Sequence, residues 1–155
     1  MLYLLPFTII VSAFILDRIA KEWVLRTISY GDTLSIFPFF QLTYIENSGM
    51  AFGMGQNKNT FFLWTTITLM LFLFFLMRRY KTQLYMKIGL ALVLSGALGN
   101  LYDRIVFGSV IDFLDFYIQT HHWPAFNIAD SAICIGAFFI FLSEKFPQKN
   151  KPQTF

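Results

Sequence analysis

The chain has 155 residues, of which 56% are hydrophobic, 19% aromatic and only 14% charged, with 20 Phe and a net charge of +3. Soluble domains carry about 25% charged residues, so a chain this poor in charge and rich in aromatics excludes disorder, a coiled coil and nucleic-acid binding, and points to the bilayer as solvent. The single Cys134 excludes a disulfide framework and a cysteine-based metal site.

Four apolar runs follow one another: Leu2–Leu16 and Ile88–Tyr102 with 15 residues each, Thr60–Met77 and Phe126–Ser143 with 18 each. Eighteen helical residues reach about 27 Å, close to the roughly 30 Å hydrocarbon core. The shorter runs reach it by continuing into their polar flanks, giving helices over about 2–25, 60–77, 85–103 and 126–144. No basic residue precedes the first run and no small-residue cleavage pattern follows it, so a retained helix is expected there rather than a signal peptide. The fold class is an α-helical integral membrane protein with four transmembrane helices, in one membrane domain over 1–155.

Basic residues set the orientation. Arg78, Arg79, Lys81 and Lys87 flank the second connection, and Lys145, Lys149 and Lys151 lie in the tail, against Arg26, Lys58 and Arg104 on the other side. Both termini are therefore expected in the cytoplasm. Of nine acids only Glu144 falls on that side; the other eight lie towards the outer face. Residues 27–59 alternate in polarity at Phe40-Gln41-Leu42-Thr43-Tyr44-Ile45 and then turn Gly-rich, which predicts a small sheet and a turn on the membrane surface. Residues 104–125 read as a compact connection ending in His121-His122-Trp123-Pro124, and the tail over about 147–155 as disordered.

Ionisable residues at membrane depth mark function by default. Asp17 and Lys21 sit at i and i+4, in the favourable order for an ion pair, and read first as an anchor at the helix end. Gly96, Gly99, Asn100 and Asp103 form one stripe on the third helix, with Arg104 adding a fork of donors. Asn127, Asp130 and Ser131 share a face of the fourth helix, where Asn127 suits an N-cap. Asp112 and Asp115 lie three apart, and spacing does not choose between them. Serine hydrolysis lacks a Gly-x-Ser-x-Gly elbow, and zinc proteolysis lacks His-Glu-x-x-His. Two carboxylates sharing a proton remain as peptide-cleaving machinery, one activating water while the other protonates the carbonyl or the leaving amine.

Five motifs in series then carry a resemblance: Asp17-x-x-x-Lys21; Asn47-Ser-Gly49-Met-Ala51-Phe52-Gly53; Gly96-Ala-Leu-Gly99-Asn100-Leu-Tyr-Asp103-Arg104; Gly108-Ser-Val110-Ile-Asp112-Phe113; and Phe126-Asn127-Ile-Ala129-Asp130. With four spans, the chain resembles the lipoprotein signal peptidase (signal peptidase II) family of bacterial membrane aspartyl proteases. Ser95 departs from the second Gly that the family often has there. The resemblance implies a catalytic pair at Asp112 and Asp130, substrate contacts from Asn47, Asn100, Arg104 and Asn127, and supporting roles for Asp17, Lys21, Gly49, Asp103 and Ala129. It implies diacylglyceryl-modified prolipoproteins as substrates, cut on the amino side of the lipidated Cys, and a lid within 27–59. No metal or cofactor is implied, no nucleic acid, and no partner beyond substrate and membrane lipids. The enzyme is expected to work as a monomer in the bacterial inner membrane, with its site at the outer face. Two other readings are a small proton or ion transporter subunit and a structural membrane protein. The first lacks a polar route through the bilayer, since the second helix offers mainly Thr65, Thr66 and Thr68. The second leaves the gathered Asn and Asp residues without a joint purpose.

Overall fold

The computed structural model describes residues 4–49, 58–80 and 83–145. The glycine-rich stretch from Met50 to Gly55 and the tail beyond Lys145 lie outside the described residues, and with them most of the expected lid and all of the expected disordered tail.

The four apolar runs are helices: α1 (Leu4–Thr27), α2 (Asn59–Arg79), α3 (Leu84–Val106) and α4 (Ile128–Lys145). At 21 and 23 residues, α2 and α3 are long and apolar enough to cross a membrane. α1 and α4 carry more charge, with Asp17, Arg18 and Lys21 in one and Asp130, Glu144 and Lys145 in the other. α3 is the central helix, burying 12 of its residues, whereas α2 buries only Phe62, Leu73 and Met77. The outward face of α2 is apolar: Trp64 is 63% exposed and Leu71 67%. A helix that shows aromatic and aliphatic side chains on its outer surface suits hydrocarbon rather than water.

Close approach of backbones joins α3 to α4. A Cβ on Gly89 would sit 2.7 Å from the carbonyl oxygen of Gly136, and one on Gly136 equally near that of Gly89. Gly96 meets Ala129 in the same way, in the first turn of α4 at its site end. Without a hydrophobic force between helices in lipid, such small-residue contacts supply the packing. At the other side of α3, Ser95 Oγ donates to the Ile10 carbonyl of α1 at 3.0 Å, which fastens the two helices. Asn59, opening α2, donates to the Arg104 carbonyl near the end of α3 at 3.1 Å. These contacts bring the end of α1, the start of α2, the end of α3 and the start of α4 to one end of the bundle.

An antiparallel sheet covers that end, in the order β1 (Thr33–Phe37), β2 (Phe40–Asn47), β3 (Val110–Ile118), β4 (His121–His122). β2 lies where alternation places it, and β1 precedes it within the same 27–59 segment. The compact connection expected over 104–125 instead contains β3 and β4, so the sheet draws on both connections, 27–59 and 104–125. β3 escapes a period-two reading because its first four residues and Asp115 are all buried, which erases the alternation of polarity. Val24, Ile28 and Phe113 form the small core between α1 and the sheet. Gly108, at φ 77°, makes the turn from α3 into β3 that an L side chain rarely adopts.

Candidate active site

The start of α4 is built as a reciprocal cap. Asn127 Oδ1 accepts from the Asp130 backbone N–H at 2.8 Å, and Asp130 Oδ2 accepts from the Asn127 N–H at 3.2 Å. This is the capping-box arrangement, with Asp in place of the usual Glu. The amide nitrogen of Asn127 is left free to point across to β3, where it donates to Asp112 Oδ1 at 2.8 Å. The same nitrogen lies 3.2 Å from the Ile111 carbonyl and 3.3 Å from Asn100 Oδ1. One fully buried asparagine therefore contacts both carboxylates.

Each carboxylate has a second amide. Asn47, at the end of β2, donates to Asp112 Oδ2 at 3.0 Å, and Asn100 on α3 donates to Asp130 Oδ1 at 2.7 Å. Asp112 is 3% exposed. Burial pushes its carboxyl up to about 7, and the neighbouring Asp130 charge pushes in the same direction, against the opposing hydrogen bonds from Asn47 and Asn127 and the Lys21 charge. A carboxyl held there keeps its proton near neutrality, which suits one member of a pair that shares a proton.

Behind the pair lies a buried ionic network. Lys21 Nζ sits 3.0 Å from Asp17 Oδ2 and 2.6 Å from Asp103 Oδ2, with all three residues at most 1% exposed. It also donates to Asn100 Oδ1 at 3.3 Å, the amide that bonds Asp130. Arg18 Nη2 reaches Asp103 Oδ1 at 2.7 Å. Asp17 Oδ1 accepts from the Ala129 N–H at 2.9 Å, in the first turn of α4. Asp103 Oδ2 accepts from the Ile111 N–H at 3.2 Å, beside Asp112. The Asp17–Lys21 pair is thus no surface anchor. It ties the chain segments on which the two carboxylates stand, and buried charges persist only when paired in this way.

A cavity of about 610 Å³ opens over the pair. Asn47, Gly49, Asn100, Arg104, Asp112 and Asp130 form its polar side, and Trp123, Pro124, Phe126, Ile133 and Ile135 its apolar side. Arg104 Nη2 donates to the Gly49 carbonyl at 3.2 Å, and its guanidinium lies 5.7 Å from the Phe62 ring centroid. Among the described residues no group of three His, Cys, Asp or Glu side chains is placed to hold a metal ion.

Residues 9–146 match the family model described as signal peptidase (SPase) II. The chain belongs to the signal peptidase II family. The lipoprotein signal peptidase of Alteromonas mediterranea is 43% identical over 135 residues, covering 84% of this chain and 74% of that one. The enzyme of the same name from Ralstonia nicotianae is 42% identical over 134 residues, covering 84% and 78%. A solved bacterial membrane enzyme superposes with a TM-score of 0.84 at 33% identity, covering 97% of this chain and 93% of that one. A second aligns with a TM-score of 0.82, also at 33% identity, covering 92% and 94%.

Within this signal peptidase II fold, Asn47, Gly49, Asn100, Arg104, Asp112 and Asp130 border one cavity. Asn127 is buried behind it, and Asp17, Lys21, Asp103 and Ala129 form the layer beyond. Asp115 faces elsewhere, bonded to Gln41 and His122. Sequence reasoning missed Arg18, which follows Asp17 in the chain and shares Asp103 with Lys21; a basic residue beside an i, i+4 pair was the available signal. It also missed Asn59, whose bond to the end of α3 crosses 45 residues and leaves no local trace.

Proposed function

We propose that this signal peptidase II is an aspartyl endopeptidase whose pair is Asp112 and Asp130. Its substrates are prolipoproteins bearing diacylglycerol on the Cys that follows the scissile bond. With one proton between them, the ionised carboxylate takes a proton from a water molecule as that water attacks the peptide carbonyl carbon. The other carboxyl gives its proton to the carbonyl oxygen. The tetrahedral gem-diol collapses as one carboxyl gives its proton to the nitrogen and the other carboxylate takes a proton from a diol hydroxyl; the C–N bond breaks, and the signal peptide leaves with a new carboxyl terminus. The pair ends with the one proton it began with.

The observation that carries the reading is the shared asparagine: Asn127 bonds Asp112 through its side chain and Asp130 through its backbone, at the floor of a cavity half lined by apolar residues. Asn47, Asn100 and Arg104 offer donors along the cavity for an extended peptide backbone, and Asn47 and Asn100 also orient the carboxylates. Ile133 and Ile135 continue the apolar wall down α4, where a lipid-bearing residue next to the scissile bond fits by its chemistry.

All four helices span the membrane in this proposal, with both termini in the cytoplasm and the site at the outer face. The support is the sequence count of seven Lys and Arg in the 78–87 connection and the tail against Arg26, Lys58 and Arg104 in the other connections, Arg18 and Lys21 lying within α1, together with the gathering of helix ends around the site. A monomer is the proposed working form, with Asp112 and Asp130 held by Asn47, Asn100 and Asn127 of the same chain.

The transporter reading has no support. Thr65, Thr66 and Thr68 each donate to a carbonyl of their own helix, and the family is one of peptidases. The deciding experiment is cleavage of a diacylglyceryl-modified prolipoprotein beside its unmodified form. Preference for the modified substrate is expected; equal cleavage of both would contradict the substrate assignment.

A further inference from the structure

Asp115 and His122 have no part in the chemistry above, yet their surroundings connect them to it. Asp115 stands three residues beyond Asp112 on β3, so the pleat sends the two carboxylates to opposite faces. Asp115 is nevertheless only 6% exposed. Its Oδ2 accepts from Gln41 Nε2 at 2.6 Å, and Gln41 is its register partner on β2. His122 Nδ1 lies 2.9 and 3.0 Å from the two carboxylate oxygens, and in the tautomer with hydrogen on Nδ1 the imidazole donates to the carboxylate. The imidazole also stacks on Tyr117, with centroids 5.1 Å apart. One carboxylate thus fastens β2, β3 and β4.

From His122 the chain runs back along β3 towards the catalytic floor. Trp123 N–H donates to the Phe116 carbonyl at 2.8 Å. The Phe126 carbonyl accepts from the Phe113 and Leu114 N–H groups at 3.0 and 2.8 Å, and the next residue is Asn127. Between these two attachments lie Pro124 and Ala125, which with Trp123 line the catalytic cavity. The inner end of this wall is fixed by Phe126 and the α4 cap. The outer end is fixed by the Asp115–His122 pair.

We propose that Asp115 and His122 are positioning residues for substrate binding: together they set the Trp123–Pro124–Ala125 wall against which the substrate seats. They touch neither the scissile bond nor the carboxylates, so their loss weakens binding while the bond-breaking step keeps its rate. This inference rests on the dyad reading for what the cavity cuts, and its test separates the two.

The experiment measures kcat and KM of purified enzyme in micelles on a diacylglyceryl-modified prolipoprotein. His122→Ala and Asp115→Ala are each expected to raise KM about tenfold with kcat within about twofold, as for a displaced binding wall. The double variant is expected to be no worse than the poorer single one, because each change removes the same bond. His122→Asn, which places an amide N–H where Nδ1 stands, and Asp115→Asn, which keeps an acceptor, are expected within about threefold of the wild-type KM. His122→Phe keeps a ring on Tyr117 and removes the donor, so it carries the test if an alanine variant fails to fold; its KM should rise as for alanine. Wild-type KM in His122→Phe, a fall in kcat at constant KM, multiplicative losses in the double variant, or no rescue by His122→Asn would each overturn the proposal. Asp112→Asn, assayed alongside, reports on the dyad alone. Turnover in that variant overturns the dyad reading without touching the KM comparison.

Discussion

The side-chain amide of Asn127 lies 2.8 Å from Asp112 Oδ1, and no other hydrogen bond among the described residues links the cap of α4 directly to that carboxylate. The relationship makes a helix start into the common support of two acids from different elements. Asn127→Ala removes the cap acceptor and the donor to Asp112 together. Loss of the cap costs about 1 kcal/mol of stability. Activity should fall further than that, by about a hundredfold or more, because the carboxylates lose their common reference. Asn127→Asp keeps an acceptor for the cap yet brings a third carboxylate to the pair. Its thermal midpoint should stay closer to wild type than that of Asn127→Ala while cleavage is lost. Melting and cleavage of the two variants, measured side by side, check this.

Lys21→Met leaves Asp17 and Asp103 buried without the cation between them. Removing one partner of a buried ionic group costs about 3–5 kcal/mol, much more than for an exposed pair. A large drop in thermal stability is expected. Arg26→Met, which breaks an exposed pair with Glu22, serves as the control and should shift the midpoint little. Equal shifts in the two variants would contradict the buried network.

The raised carboxyl of Asp112 fixes the direction of two pH profiles. Activity requires one proton on the pair, so kcat/KM should fall as pH rises through about 7, where Asp112 gives its proton up. For stability, the folded protein holds this proton from the ordinary carboxylate range near 4 up to about 7, while the unfolded chain has released it. That contribution is therefore full at low pH and is lost as pH rises between those limits. Asp112→Asn should flatten the loss. A thermal midpoint followed from pH 4 to 8 in both proteins provides the check.

Much of this was legible in the sequence, and the parts that were not have physical reasons. Apolar runs of membrane length show directly where helices lie, and β2 shows as alternation. β3 did not, because Asp112 and Asp115 are both buried on opposite faces and their polarity interrupts the pattern. Spacing left those two acids equivalent, since only partners distant in sequence distinguish them: Asn47 and Asn127 for one, Gln41 and His122 for the other. Asp17 and Lys21 were legible as a pair but not as a buried one. Their burial comes from Asp103, Asn100 and Ala129, supplied by helices at least 79 residues away.

Gly96→Ala places a methyl group against the Ala129 carbonyl and the Ile133 side chain, in the first turns of α4. The backbone cannot yield as a flexible side chain would, so α4 must shift at the end that carries Asp130. Overpacking of this kind costs about 1–3 kcal/mol. Activity should fall more steeply than for Gly31→Ala, where no atom lies within 4 Å of the added methyl and the strain is confined to a turn remote from the cavity. Comparing the two variants for cleavage and melting separates a loss at the site from general destabilisation.

The most direct test of the dyad is turnover by Asp112→Asn and Asp130→Asn, made separately, on a diacylglyceryl-modified prolipoprotein. Membrane insertion and thermal melting serve as controls for folding, and Asp115→Asn serves as the neighbouring acid. Each dyad variant should fold and show no cleavage above background, while Asp115→Asn retains most of its activity. Cleavage at the wild-type rate by either dyad variant would contradict the account.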